Sequence, residues 1–460
     1  MEKRNPSQNE SRRKTRREFL AQCAAGTVAG LAVVSALQTA AGQSGAAQPS
    51  GGQPAAAPAS AKPAGAKGRL GVGFIGAGGR SGAHMDCVKH LKDNEKYPVE
   101  LVAVCDVYRP RMEAKKTEYG IAKGYMDHRE LLADPNVDVV FIATPDHHHG
   151  YQAIDAVLAG KDVYCEKPVT HWSQFELTRR LADVVAKSDR VFQLGSQAMS
   201  DSAWHQMKQL VKEGLIGRPV FGETSFFRLG DWGERGMPVD DPNAKPGPDL
   251  NWEAFLGDRP KRPFNVDRFF RWRLFEDYAG GPGTDIYPHC LTQVVDILGV
   301  GFPESVVAVG GIDRFDYELR EVPDSFSLIA RYPEKVTISV LGTFANDYNS
   351  VEGERGSGAR MPTIRGWDGA LHIDRNNREI VFTPVREQGA KAPKRIPIER
   401  GEDFGYYIQS FLDCCRTRNK ATLSGMDLAF RTQTVLQMAM LALRNKKAAM
   451  FDPRERRILI

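Results

Sequence analysis

The chain has 460 residues, 42% hydrophobic and 26% charged, which is the make-up of an ordinary globular protein and too long for a single core. Beyond the N-terminal forty residues no apolar run reaches roughly 18, so a membrane-spanning body is not expected. The net charge of +5 is concentrated in residues 1–41, where seven Lys/Arg face three Asp/Glu; the remainder is nearly neutral, and nucleic acid is not expected as a partner.

At the N-terminus, Thr15-Arg16-Arg17-Glu18-Phe19-Leu20 precedes an apolar stretch from Cys23 to Leu37, and Thr39-Ala40-Ala41 offers a small-residue exit. A basic head, an apolar middle and a small-residue end are the parts of an export signal. The pattern resembles a twin-arginine signal over 1–41, which implies passage of a folded protein through the twin-arginine export machinery to the periplasm or beyond, with no membrane span left after cleavage. A dissociable dinucleotide is scarce outside the cytoplasm, so folded export suits a cofactor held tightly enough to travel with the protein. Residues 42–68 are mostly Gly, Ala, Ser, Pro, Gln and Lys and read as a flexible linker. The seven cysteines form no CxxC pair, and Cys105 and Cys165 lie in apolar runs as buried thiols.

From residue 69 short β-branched runs alternate with helical stretches. Leu70–Ile75, Leu101–Cys105, Val137–Ile142, Asp162–Tyr164 and Val191–Leu194 read as strands, with helices at 151–159 and 174–186. This alternation predicts parallel strands joined by helical crossovers, an α/β Rossmann dinucleotide-binding domain over 69–197. The G-x-G-x-x-G match at Gly71, Gly73 and Gly76 is a decoy, because those residues lie within the strand and phosphate binding needs the turn after it. The working turn is Gly76-Ala77-Gly78-Gly79-Arg80-Ser81: Gly76 for the sharp turn, Gly78 for close backbone approach, and the small Ser81 for helix–strand packing. Asp106, ending the second strand, is placed to accept from the adenosine ribose hydroxyls and to repel a 2′-phosphate. NAD is therefore favoured over NADP, although Arg109 and Arg111 stand within reach of a phosphate.

Two further stretches narrow the reading: Ala143-Thr144-Pro145-Asp146-His147-His148-His149, and Val163-Tyr164-Cys165-Glu166-Lys167-Pro168. With the glycine turn and Gly280-Gly281-Pro282-Gly283-Thr284-Asp285-Ile286-Tyr287-Pro288-His289, they resemble the family of glucose–fructose oxidoreductase, inositol dehydrogenase and MocA-like proteins, over residues 69–448. The resemblance implies that Glu166 and Lys167 belong to the catalytic end of the cofactor site, and that Thr144, Pro145 and His149 lie near the nicotinamide. Alcohol oxidation needs a base close to the hydroxyl. Asp285 and His289, four apart, share one face if helical. His289 is the candidate general base, Asp285 orients it or binds a neighbouring hydroxyl, and Lys167 stabilises alkoxide charge. Whether lysine or histidine moves the proton stays open, and Tyr287 is a secondary candidate. Three consecutive histidines in extended backbone would point alternately, so no metal site is expected there.

The second domain, 198–448, reads as α/β with a largely antiparallel sheet: a helix at 202–213, strands near 220–227, 306–309, 325–331, 336–344 and 379–383, and closing helices at 406–416 and 426–444. Residues 449–460 read as a C-terminal tail. Trp232, Trp252, Arg271 and Trp272 form either a sugar-stacking wall or part of a long structural or oligomer-contact loop. The expected function is hydride transfer between bound nicotinamide and a hydroxyl carbon of a sugar, glycoside or cyclitol. The alternatives are glycoside hydrolysis through transient oxidation and a noncatalytic cofactor-holding scaffold. A homo-oligomer is expected.

Overall fold

The computed structural model describes residues 68–460 except 232, 350–353, 356–357, 360 and 387–392; the export signal and almost all of the linker lie outside the described residues, as does Trp232. Six strands form the first sheet: β1 (Leu70–Ile75), β2 (Val99–Cys105), β3 (Lys123–Tyr125), β4 (Val139–Ile142), β5 (Asp162–Glu166) and β6 (Phe192–Gly195). All its pairings are parallel, in the order β3-β2-β1-β4-β5-β6. Every residue of β1, β4, β5 and β6 is buried, because helices cover both faces of the sheet. The order reverses direction between β1 and β4, and that switch point opens a crevice at the carboxyl ends of the strands.

Five helices complete this half: α1 (Gly79–Asp93), α2 (Arg109–Tyr119), α3 (His128–Ala133), α4 (Asp146–Leu158) and α5 (Phe175–Lys187). Gly71 and Gly73 are packing glycines. A Cβ on the first would meet Asn136 O at 1.8 Å, and one on the second Leu131 Cδ2 at 2.8 Å.

The second half begins with α6 (Ser202–Lys212) and the long strand β7 (Pro219–Leu229). After the segment 230–281, which carries the short helices α7 (Trp252–Leu256) and α8 (Val266–Phe270), come a π-turn over Pro282–Ile286 and α9 (Pro288–Leu298). The sheet continues through β8 (Ser305–Gly311), β9 (Ser325–Arg331), β10 (Thr337–Thr343), β11 (Thr363–Gly366), β12 (Gly369–Asp374), β13 (Glu379–Pro384) and β14 (Lys394–Pro397). It is largely antiparallel, with β7 and β10 paired parallel. Residues 449–460 are not a tail. They form β15 (Ala449–Asp452) and β16 (Arg457–Leu459), which extend the sheet beyond β8.

The inner sheet face packs on α9, where Gly222 of β7 leaves room for Val294 and Leu298. The last helices, α10 (Phe404–Thr417) and α11 (Met426–Asn445), return to the first half. Tyr407 donates to Leu194 O (2.6 Å), Gln437 to His171 O (3.0 Å) and Gln433 to Thr170 O (2.8 Å), so buried polar groups of both halves satisfy each other. The six described cysteines are free thiols, and only Cys414 is not buried. No helix among the described residues is long and apolar enough to cross a membrane.

Candidate active site

The glycine turn has the form required of a phosphate cradle. Gly76 adopts φ +95°, and a Cβ there would come within 2.6 Å of Ala143 O, so only glycine fits. Ala77 N–H donates to Asp106 Oδ2 (2.7 Å) and Tyr108 N–H to Asp106 Oδ1 (2.9 Å), which fixes that carboxylate beside the turn. Gly78 is the N-cap of α1 and caps it with no side chain; around both Gly78 and Gly79 a Cβ would meet nothing within 4 Å. Open space before uncapped helix N–H groups suits a pyrophosphate. Ser81 is fully buried behind the turn and acts by its small size.

Arg80 departs from expectation. Its guanidinium turns away from the turn and pairs with Glu166 (Nε–Oε1 2.6 Å), over the Phe404 ring. Glu166 also meets His84 Nε2 at 3.0 Å. Burial alone would raise the Glu166 pKa, yet Arg80 and His84 hold it far below the ordinary carboxylate range. Gly195 leaves the room this carboxylate needs, since a Cβ there would meet Glu166 Cδ at 2.7 Å. Arg80 and Glu166 therefore form a structural ion pair that ties the first turn of α1 to the end of β5, and so the glycine turn to its neighbour Lys167.

Lys167, before the cis Lys167–Pro168 bond, donates to Asp285 Oδ1 (2.6 Å) and to Asp285 O (2.5 Å). Arg273 Nε donates to Asp285 Oδ2 (3.1 Å). Burial would push the Asp285 carboxyl up, but Lys167 and Arg273 hold it ionised, well below the usual range. His289 follows one helical turn later, as the spacing predicts. Its Nε2 is buried and has no protein partner. Burial first, then Lys167, pushes its pKa down to about 3, so the ring is neutral. Lys167, Asp285 and His289 are thus brought together at the crevice.

Asp146, at the start of α4, was not singled out from the sequence. It is 1% exposed, with a partnerless Oδ2, and burial followed by repulsion from Asp285 raises its pKa well above the ordinary value. Arg273 also escaped the motif reading, because it lies twelve residues before Asp285 in an irregular segment.

Several expectations are corrected. Tyr287 is fully buried and its hydroxyl donates to Phe326 O, so it braces the sheet. The histidine triplet is helical, not extended: His147 and His148 both place Nε2 2.8 Å from Phe255 O. Both ring nitrogens of His149 lie beside protein carbonyls, Pro168 O (2.6 Å) and Thr144 O (2.8 Å); the protonated one donates, and the ring braces the Lys167–Pro168 turn from behind. Thr144 donates to Gln152, and Pro145 is the N-cap of α4. Arg111 is bound to Asp240 (2.5 and 3.0 Å) and Arg109 to Asp249 (2.8 Å), so both candidate phosphate ligands are engaged in ion pairs. Trp252 and Trp272 are buried in an aromatic cluster, and Arg271 pairs with Asp267; the structural reading of that segment holds.

Comparison with known proteins agrees with the fold. Residues 70–196 match the family described as "Oxidoreductase family, NAD-binding Rossmann fold". Myo-inositol 2-dehydrogenase of Thermotoga maritima is 30% identical over 148 residues, 32% of this chain and 42% of that protein. The scyllo-inositol 2-dehydrogenase (NAD(+)) of Bacillus subtilis is 34% identical over 122 residues, 26% of this chain and 35% of its own length. The chain therefore spans less than half the length of the curated relatives it matches. Among solved structures, levoglucosan dehydrogenase in complex with NADH superposes with a TM-score of 0.62 at 18% identity, covering 83% of this chain and 98% of that one. Aldose–aldose oxidoreductase from Caulobacter crescentus, complexed with glycerol, gives 0.60 at 18% identity, covering 83% and 100%. At that identity the likeness establishes the fold alone: a Rossmann domain followed by a mixed, mostly antiparallel sheet domain.

Proposed function

We infer that the chain as a whole is an NAD-dependent oxidoreductase of the glucose–fructose oxidoreductase, inositol dehydrogenase and MocA-like family, acting on a hydroxyl carbon of a sugar, glycoside or cyclitol. The observation that carries this reading is the meeting of Lys167, Asp285 and His289, linked through Glu166 and Arg80 to the glycine turn. The names of the matching relatives, inositol dehydrogenases among them, support a polyol substrate. Asp106 beside the turn, with Arg109 and Arg111 occupied elsewhere, supports NAD over NADP.

When bound, the nicotinamide supplies the hydride acceptor. The protein's share is to hold the hydroxyl and take its proton. Neutral His289, in its Nδ1–H tautomer, offers Nε2 as acceptor to the hydroxyl. A base held at about 3 is weak toward an alcohol, but a hydroxyl becomes strongly acidic as its carbon loses hydride, so proton transfer late in that event is downhill. The imidazolium so formed faces ionised Asp285. Lys167, which spends two of its N–H groups on Asp285, donates the third to the substrate oxygen and holds it in line for hydride departure.

A panel of inositols, monosaccharides and glycosides assayed for nicotinamide reduction tests the reading. Lys167→Ala is expected to lose on the order of a hundredfold in rate; unchanged turnover would remove Lys167 from the mechanism. The reading extends to export, which cell fractionation tests, and to self-association. The outer face of the second sheet exposes Val307, Val309, Ile329 and Leu341, and light scattering should report more than a monomer.

A further inference from the structure

Between β7 and the π-turn the chain leaves the second sheet, and residues 237–279 lie against the first domain. They carry their own hydrophobic cluster, which takes in Leu250, Trp252, Phe255, Phe269 and Phe270. Tyr108, two residues after Asp106, enters this cluster edge-on to Phe269 (5.7 Å) and Phe270 (5.4 Å). Around it Arg109 N–H donates to Asp249 O (2.8 Å), Asn251 N–H donates to Val107 O (2.9 Å), and Tyr108 bridges Leu250. The Arg109–Asp249 and Arg111–Asp240 ion pairs close the same junction.

The segment is fastened a second time on the far side of the crevice. Phe255 O receives His147 and His148, Tyr151 donates to Asp258 (2.9 Å), Arg259 donates to Ser173 (3.1 Å), and His171 lies 3.0 Å from Glu276 O. The anchors are thus the junction of β2 with α2 on one side, and the start of α4 with the loop after β5 on the other. In the sheet order, β1 and its glycine turn lie between them, and the space about Gly78 and Gly79 stays clear.

We propose that residues 237–279 are a strap closed over the dinucleotide site, so that nucleotide enters or leaves only when the strap undocks at Val107–Arg111. The proposal rests on the NAD-binding reading above. A molecule lying along the carboxyl edge from Asp106 past the glycine turn to Lys167 passes between the two sets of anchors. The strap also brings Arg273 to Asp285, so undocking loosens the reaction centre as well. Retention of the nucleotide over many turnovers follows from the covering, with no covalent link.

The test is retention. Protein loaded with NADH is freed of excess by gel filtration and chased with NAD, while bound NADH fluorescence is followed. A double variant on the strap side, Asp240→Ala with Asp249→Ala, is expected to release NADH at least tenfold faster than the parent. On the unaltered protein, bound NADH is expected to slow proteolytic cleavage within 237–262 at least tenfold, a readout that does not depend on the variant folding. Equal release rates together with no protection would overturn the strap while leaving the NAD-binding reading intact. Failure of the parent to bind NADH or NAD at all would overturn that reading, and the strap with it.

Discussion

Gly76 and Gly78 stand two residues apart and answer to different constraints. At Gly76 a methyl group would combine φ +95° with a backbone oxygen 2.6 Å away, so Gly76→Ala should cost about 1–3 kcal/mol and lower the melting temperature. At Gly78 a methyl group meets no atom of the protein, so Gly78→Ala should melt like the parent yet lose NADH affinity at least tenfold; calorimetry and fluorescence titration separate the two effects. Native-like affinity in Gly78→Ala would show that nothing approaches the backbone there. His289, held at about 3, stays neutral, so the acid limb of kcat/KM between about pH 5 and 8 should contain no step from this imidazole. A parent profile rising about pH 6.5 and flattened in His289→Asn would contradict it. Lys167 was picked out by the resemblance that Glu166-Lys167-Pro168 carries, Asp285 and His289 by their four-residue spacing, and the three side chains do lie together. Tyr287 was misread although helix geometry argues against it: two residues along is about 200° round the axis, away from the face shared by Asp285 and His289. Asp146 and Arg273 left no signal, since the first reads as an ordinary helix start and the second belongs to no periodic segment.

At the scale of elements, the buried parallel strands were legible to within two residues, because both their faces are apolar. Polar edges were not. The three-residue strand Lys123–Tyr125 and helix α2, which buries only Met112, lack the periodicity that marks a core element. The hairpin β15–β16 was hidden in the same way: Ala449-Met450-Phe451-Asp452 is short and is followed by proline and charge. It nevertheless shields the edge of β8, and Phe451 stacks on Phe302 with ring centroids 4.9 Å apart. Truncation after Lys447 should cost about 1.5–3 kcal/mol for the lost Phe451 burial alone and expose an unpaired strand edge. A lower urea midpoint and concentration-dependent aggregation are the expected signs, and a midpoint equal to the parent's would make the hairpin dispensable.

For the molecule as a whole, buried titratable groups set the pH range of the fold. His84, His147, His148, His171 and His289 are all pushed below their ordinary value, primarily by burial. Unfolded, each takes a proton near pH 6.5; folded, each resists, down to about 4 for His148 and about 3 for His289. The unfolded chain then binds more protons, so stability falls as pH drops below about 6.5. Glu166 and Asp285, held low by Arg80 and Lys167 against their burial, add to that loss at lower pH. Asp106, Asp146, Asp201, Glu234, Glu321 and Glu402 are raised by burial and act oppositely, favouring the fold at acid pH. Melting temperature should decline from about pH 7 to 5, and a flat or rising trend there would show that the buried acids dominate.

The buried thiols carry a consequence for where such a protein can work. Cys105, Cys165 and Cys415 sit in apolar surroundings that suppress the thiolate, the form that oxidants attack. Of the described cysteines only Cys414 has appreciable access to solvent. The described fold holds no crosslink for a reductant to break, and passage into an oxidising milieu would find Cys414 as its accessible thiol.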